Sequence, residues 1–173
     1  MIAMLMCSIS VSAYYFQANG IYFNVTSYSD LTVAVTYHSP TYHAYSGTVT
    51  IPSAVTFKGE TYNVTSIGEA AFAYCKDLTE IIIPEGVTRI GHNAFYDCDG
   101  LTDITIPKGV FWIGYYAFYE CSNLTSITMP TSVTEIYKET FRSCSSLTNI
   151  NIPEGVTSID EGAFRYCGSL KDI

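Results

Sequence analysis

LTEIIIPEGVTRIGHNAFYDCDG, Leu78 to Gly100, is followed by a near copy of itself that begins 23 residues later. Pro84, Pro107, Pro130 and Pro153 keep that step. So do Phe72, Phe95, Phe118, Phe141 and Phe164, and so do Cys75, Cys98, Cys121, Cys144 and Cys167. Leu78, Leu101, Leu124, Leu147 and Leu170 form another column, joined by one of isoleucines from Ile67 to Ile159 and one of valines from Val64 to Val156. Chance does not hold six such columns in phase, so an internal repeat decides the fold.

Each column has a physical task. L-T-x-I-x-I-P alternates apolar residues with others, the period of a short strand. Leu78, Ile81 and Ile83 are expected to point inward, and Glu80 and Ile82 outward. Pro84 lacks the N–H needed to continue a ladder and ends the strand. Glu85-Gly86 then turns the chain, with Gly86 suited to positive φ. V-T-x-I drops two more apolar side chains inward. The spacing of Phe, Cys and Leu in A-F-x-x-C-x-x-L predicts a short helical or 3₁₀ turn on the far side. One copy buries too little to offset the entropy of ordering it, so the copies must stack and share a core.

The full pattern I-P-x-x-V-T-x-I-G-x-x-A-F-x-x-C-x-x-L-T-x-I, running from Val64 to Ile173, resembles the BspA-like leucine-rich repeats. Departures are mild: Tyr137 and Asp160 replace Gly, Thr140 replaces Ala, and Met129 replaces Ile. The resemblance implies a repeat solenoid. The expected form is a leucine-rich-repeat-like right-handed coil with one short parallel β-strand per 23-residue rung, plus an N-terminal β-hairpin cap. It also implies a surface or secreted protein of the kind found in anaerobic bacteria and some protists. Such a protein binds extracellular or host-surface proteins and carries out no catalysis. Arrays of this class often run long, and the chain stops at Ile173 where another strand is due, so a continuing array is expected.

Residues 14–63 read as the β-rich cap. In YYFQANGIYFNV alternating aromatics flank Asn19-Gly20, the favoured pair for a type I′ hairpin turn. LTVAVTY is a further strand, and Ile51-Pro52 imitates the repeat's strand end before a second hairpin at Lys58-Gly59. Residues 1–13 form an apolar run ending Val11-Ser12-Ala13, like a truncated signal peptide, and too short to span a membrane. A buried first strand is the competing reading. The net charge of −8 argues against a nucleic-acid partner.

Chemistry is sparse. The cysteines recur singly, without C-x-x-C, and are expected to stack inward as reduced core thiols. His38 and His43, with no nearby acid or thiol, make a poor metal site, and no catalytic constellation or cofactor motif is legible. Asn24, Asn63 and Asn123 head N-x-T sequons that Thr-rich repeats produce by accident. Two surfaces remain. FWIGYYAFYE, Phe111 to Glu120, places Phe111, Trp112, Tyr115, Tyr116 and Tyr119 on non-core positions, with Tyr96 one rung before Tyr119. An exposed aromatic cluster of this kind marks a contact site. Its competing reading is lateral packing against Arg89, Glu135 and Lys138, with Trp112 over Arg89. The second surface is the concave sheet face: Glu80, Ile82, Asp103, Thr105, Ser126, Thr128, Asn149 and Asn151. The leading function is a non-enzymatic adhesion or protein-binding module. A structural spacer, or glycan recognition by the aromatic patch, is the alternative.

Overall fold

The computed structural model describes residues 15–37 and 45–171, so the signal-peptide reading and the histidine pair lie outside the described residues. From residue 46 onward the chain is a stack of rungs. Each rung opens with a strand that follows the L-T-x-I-x-I pattern. These strands are β4 (Gly47–Thr50), β7 (Leu78–Ile82), β9 (Asp103–Thr105), β11 (Ser126–Thr128) and β13 (Asn149–Asn151). Leu78, Ile81 and Ile83 are buried and Glu80 and Ile82 exposed, as the alternation requires.

A second, two-residue strand follows the proline turn, an addition to the single strand per rung that the sequence suggested. Its members are β8 (Arg89–Ile90), β10 (Trp112–Ile113), β12 (Glu135–Ile136) and β14 (Ser158–Ile159); Ile90, Ile113 and Ile136 are buried in the stack, whereas Ile159 on the last described rung is exposed. Both strand columns pair in parallel; the register is constant along β9, β11 and β13, as in Ile104↔Ile127↔Ile150, and slips by one residue between β4 and β7. Two joints are open. Among the described residues no ladder pairs β7 with β9, and none pairs β10 with β12. The second opening follows Phe111, which stands where neighbouring rungs carry Thr. There Thr88 donates its hydroxyl to the Thr65 carbonyl at 3.2 Å and Thr157 donates to Thr134 at 3.1 Å. Phe111 cannot make that bond to Thr88, yet its N–H reaches the Thr88 carbonyl at 3.1 Å and β8 pairs with β10, so the substitution does not account for the opening beyond it.

The A-F-x-x-C-x-x-L segment is neither α-helix nor 3₁₀-helix but a run of hydrogen-bonded turns. Its N–H groups alternate in duty. Those of Ala71, Ala73 and Cys75 close turns within the rung, whereas those of Ala70, Phe72 and Tyr74 donate to the carbonyls of His92, Ala94 and Tyr96 on the next rung. Left-handed residues, such as Ala70 (φ 52°) and Tyr74 (φ 60°), permit the alternation. A helix would spend every N–H internally and leave the rungs unjoined. The turn at Glu85-Gly86 differs from expectation too, since Gly86 does not adopt positive φ. Glycine is demanded instead at Gly91 and Gly114, where rungs approach so closely that a Cβ would sit 2.6 Å and 2.7 Å from backbone nitrogens of Glu69 and His92.

The interior is a file of phenylalanines. Successive rings from Phe72 to Phe164 lie 5.2–5.5 Å apart and within 7° of parallel. Phe72, Phe95, Phe118 and Phe141 are fully buried. Leu, Ile and Val columns close around them.

The N-terminal β region sits on the first rung. β1 (Tyr15–Ala18) and β2 (Ile21–Ser27) form the antiparallel hairpin, with Asn19 and Gly20 both at positive φ (52° and 79°), as a type I′ turn requires. β3 (Thr32–Thr36) pairs with β2 and, in parallel, with β6 (Glu60–Ile67). β5 (Ala54–Phe57) turns back onto β6 through Lys58-Gly59. β4 and β6 thus occupy the two strand positions of the rung before β7 and β8, and β3 adds one strand beyond β6. Tyr45 ends the phenylalanine file, its ring 4.8 Å from Phe72. Its hydroxyl donates to the Thr36 carbonyl at 2.8 Å and accepts from the Tyr22 N–H, so the buried phenol is satisfied. Burial pushes it up to about 12.

Candidate functional site

The strand face presents Glu80, Ile82, Asp103, Thr105, Ser126, Thr128, Asn149 and Asn151 outward, all exposed. The parallel register sets Asp103, Ser126 and Asn149 side by side, and likewise Thr105, Thr128 and Asn151. Two polar rows therefore run across three paired strands. Just behind them Thr125 and Thr148 donate their hydroxyls to the carbonyl of the preceding rung's threonine, at 2.9 and 3.2 Å. Those hydroxyls hold the ladder, and the outward Ser, Thr and Asn groups remain available to a partner. Glu80 accepts from the Thr48 hydroxyl at 3.0 Å and Asp103 from Thr102 at 3.2 Å.

The aromatic stretch divides into two stacks. In one, His92 lies flat against Tyr115 (4.9 Å, 11°) and edge-on to Trp112 (5.0 Å), and Tyr137 closes against Tyr115 at 5.2 Å. The Arg89 guanidinium lies 4.8 Å from the Trp112 ring centre and 6.0 Å from that of Phe111. His92 Nδ1 accepts the Tyr115 N–H at 2.9 Å. In the other stack Tyr96 lies parallel to Tyr119 (4.8 Å, 6°), with Tyr74 beside Tyr96, Tyr116 beside Tyr119 and Arg142 over Tyr119 at 5.4 Å. The cation–π pair between Arg89 and Trp112 is the one the sequence reading weighed as packing. Ring faces here are largely covered by neighbouring rungs. Phe111 and Tyr115 remain 52% and 41% exposed, whereas Trp112, Tyr116, Tyr119 and Tyr96 are half-buried.

The model of the BspA-type leucine-rich repeat region matches residues 65–173 in 6 copies. The chain belongs to the BspA-type leucine-rich repeat family. A leucine-rich cell surface protein from Faecalibacterium prausnitzii is 29% identical, with a TM-score of 0.65. The match covers 94% of this chain and 55% of that one, so the chain spans about half that protein's length. A leucine-rich repeat protein from Bacteroides capillosus is 26% identical over 84% of this chain and 96% of that one, with a TM-score of 0.60. A pneumococcal vaccine antigen shares the fold at 21% identity, covering 89% of this chain and 48% of that one (TM-score 0.63). No curated protein matches the chain. BspA-type repeats characterise surface proteins and protein-interaction modules, and among the described residues no helix is long and apolar enough to cross a membrane.

Several residues of these BspA-type rungs escaped the sequence reading. His92 and Tyr137 belong to the first aromatic stack, and Tyr74 and Arg142 to the second. Reading the variable columns at the 23-residue step would have put His92 against Tyr115, since they are equivalent positions. The cysteine column also does more than fill space. Cys98, Cys121, Cys144 and Cys167 donate S–H to the carbonyls of Phe72, Phe95, Phe118 and Phe141 at 3.0–3.1 Å. Those carbonyls are buried beside the phenylalanine file, so a thiol supplies the donor an alanine would lack. The cysteines from Cys75 to Cys167 are buried and in no disulfide. Burial pushes the Cys121 thiol up to about 12 and raises those of Cys98 and Cys144 well above the ordinary value, keeping them protonated and unreactive. On the surface, Lys76 bridges Asp97 (3.1 Å) and Asp99 (3.3 Å). The Ser122 hydroxyl and Lys76 hold Asp99 below the usual carboxylate range.

Proposed function

We propose that the chain is a non-enzymatic, protein-binding adhesion module of a surface or secreted protein, and that it binds through the strand face. The observation that carries this reading is the pair of exposed polar rows on β9, β11 and β13, fixed in register by backbone pairing. A partner meets these groups already in place, so little ordering entropy is lost on binding. The F. prausnitzii relative, named as a cell surface protein, supports the location. Residues 14–63 serve as the N-terminal cap, burying Phe23, Val33 and Val35 against the first rung. Recognition of glycans by the aromatic stretch has less support, because sugars stack on open ring faces and Trp112, Tyr115, Tyr116 and Tyr119 each pack against a neighbouring ring.

The test is binding of the purified chain to immobilised extracellular-matrix proteins. Ser126→Arg with Asn149→Arg is expected to lower retention at least tenfold, and Phe111→Ala with Tyr115→Ala to change it less than twofold. Loss with the aromatic pair alone moves the site to that flank. Binding indifferent to both pairs overturns the reading.

A further inference from the structure

The opening between β7 and β9 is a place where the fold leaves something unmade. Each strand pairs on its other side, β7 with β4 and β9 with β11, so both edges at the opening belong to formed strands. A groove of about 240 Å³ lies there, lined by the outward residues Glu80, Ile82, Asp103 and Thr105 and by Glu85 and Pro107 beyond the strand ends. Backbone amides and carbonyls along the two edges lack the ladder partners that β9, β11 and β13 give one another.

Two features of the lining narrow what can fill the groove. Ile82 is 48% exposed although it sits in mid-rung, where the equivalent positions hold Thr105, Thr128 and Asn151. An isoleucine is the one apolar group on an otherwise polar face, and it stands at the opening. The second feature is charge. Glu80, Glu85 and Asp103 surround Ile82, none of them forms a salt bridge among the described residues, and no Lys, Arg or His lines the groove. A small exposed apolar surface bordered by carboxylates with no cationic partner among the described residues, above open backbone carbonyls, complements a side chain with an apolar stem and many N–H donors. Arginine is that side chain: its methylenes cover apolar surface while its five donors reach carboxylate and carbonyl oxygens together. The chain's net charge of −8 would speed encounter with such a partner.

We propose that the groove between β7 and β9 anchors an extended, arginine-bearing segment of a partner polypeptide. The stem packs on Ile82 and Pro107, and the guanidinium lies among Glu80, Glu85 and Asp103. The proposal rests on the strand-face reading and names the class of partner that face accepts.

A fluorescent (Val-Arg)₄ peptide titrated into the full chain, read by anisotropy, tests it. The wild type is expected to bind this probe, and to bind (Val-Glu)₄ at least tenfold more weakly. The variant Glu80→Gln/Glu85→Gln/Asp103→Asn should lose at least tenfold, and Ile82→Ser at least threefold. Removing the same charge elsewhere, by Glu60→Gln/Glu154→Gln/Asp160→Asn, should cost less than twofold. An equal loss from both triple variants would mean diffuse attraction and overturn the proposal, as would full binding by the groove triple. If matrix-protein binding still falls with Ser126→Arg/Asn149→Arg while the peptide ignores the groove, the anchor alone is wrong. If neither ligand responds to its variants, the strand-face reading falls with it.

Discussion

Two sets of stacked rings run along this coil, one dry and one wet. In the dry set each copy contributes phenylalanine, and every step is 5.2–5.5 Å with nearly parallel planes. In the wet set the rings are His92, Tyr115 and Tyr137 on one flank and Tyr74, Tyr96 and Tyr119 on the other. There two steps are tighter than those of the core and lie 6° and 11° from parallel, and the rest tilt by 52–62°. The steps agree because the backbone ladders set the distance between rungs. The residue choice differs because a buried gap admits one shape, whereas at the surface water fills what the ring does not. Similar geometry should therefore carry very different energy.

The sharpest way to break that comparison is to empty one step of the dry file. Phe118 lies 5.2 Å from Phe95 and 5.5 Å from Phe141 and is fully buried. Phe118→Ala leaves a cavity that rigid neighbouring rungs cannot close, and we expect a loss of about 3–5 kcal/mol in urea unfolding. Phe164 is half-buried in the last described rung, and Phe164→Ala should cost clearly less. Equal losses at the two positions would show that the file does not act as a shared core.

A medium effect belongs to the thiols beside that file. Cys121→Ala removes little volume but strips the Phe95 carbonyl of its donor at 3.0 Å, and should cost about 1–3 kcal/mol. The same thiols predict a pH dependence. The folded Cys121 thiol titrates at about 12 against an ordinary value of 9.0, so the native state holds its proton where the unfolded state releases it. Native stabilisation is full below pH 9 and falls as pH rises from there toward 12, by on the order of 1 kcal/mol per pH unit for each such thiol. Urea midpoints measured from pH 8 to 10 should decline in the wild type and less in Cys121→Ala. A flat profile would mean that these thiols are solvated.

The difference between the two sets also explains what could be read from the chain. Burial with a fixed gap forces the same residue into each copy, so the Phe, Cys, Leu, Ile and Val columns showed the coil, its strand phase and its inward face. The hairpin at Asn19-Gly20 was legible for a similar reason, since few pairs tolerate two positive φ values. The second strand column escaped because two residues are too few to show a period. The turns passed for helical spacing because Phe, Cys and Leu recur at three-residue steps in either case. The left-handed Ala70, Tyr74 and Tyr116 carry no signature, being residues that seldom adopt that conformation. At the surface the exposed residues of the strand face followed from alternation. The open joint between β7 and β9 left no mark in the sequence except Ile82, an apolar residue on an outward position.

The smallest expected effect decides whether wet stacking contributes at all. Tyr96 and Tyr119 are as nearly parallel as the core rings and closer together, and Arg142 lies over Tyr119. Tyr119→Ala should cost no more than about 1 kcal/mol, because the ring is half-buried and water replaces its contacts. A single loss of that size mixes ring contact, the arginine and the turn backbone, so the coupling must be isolated by a double-mutant cycle with Tyr96→Ala. Aromatic pairs couple by about 0.5–1.5 kcal/mol, and a half-buried pair in contact with water belongs at the lower end. The equivalent cycle on Phe95 and Phe118 should give a larger coupling, since both rings are fully buried and water cannot replace their contact. If the tyrosine pair couples as strongly as the phenylalanine pair, ring geometry rather than exclusion of water holds the rungs together. The distinction between the two sets would then disappear.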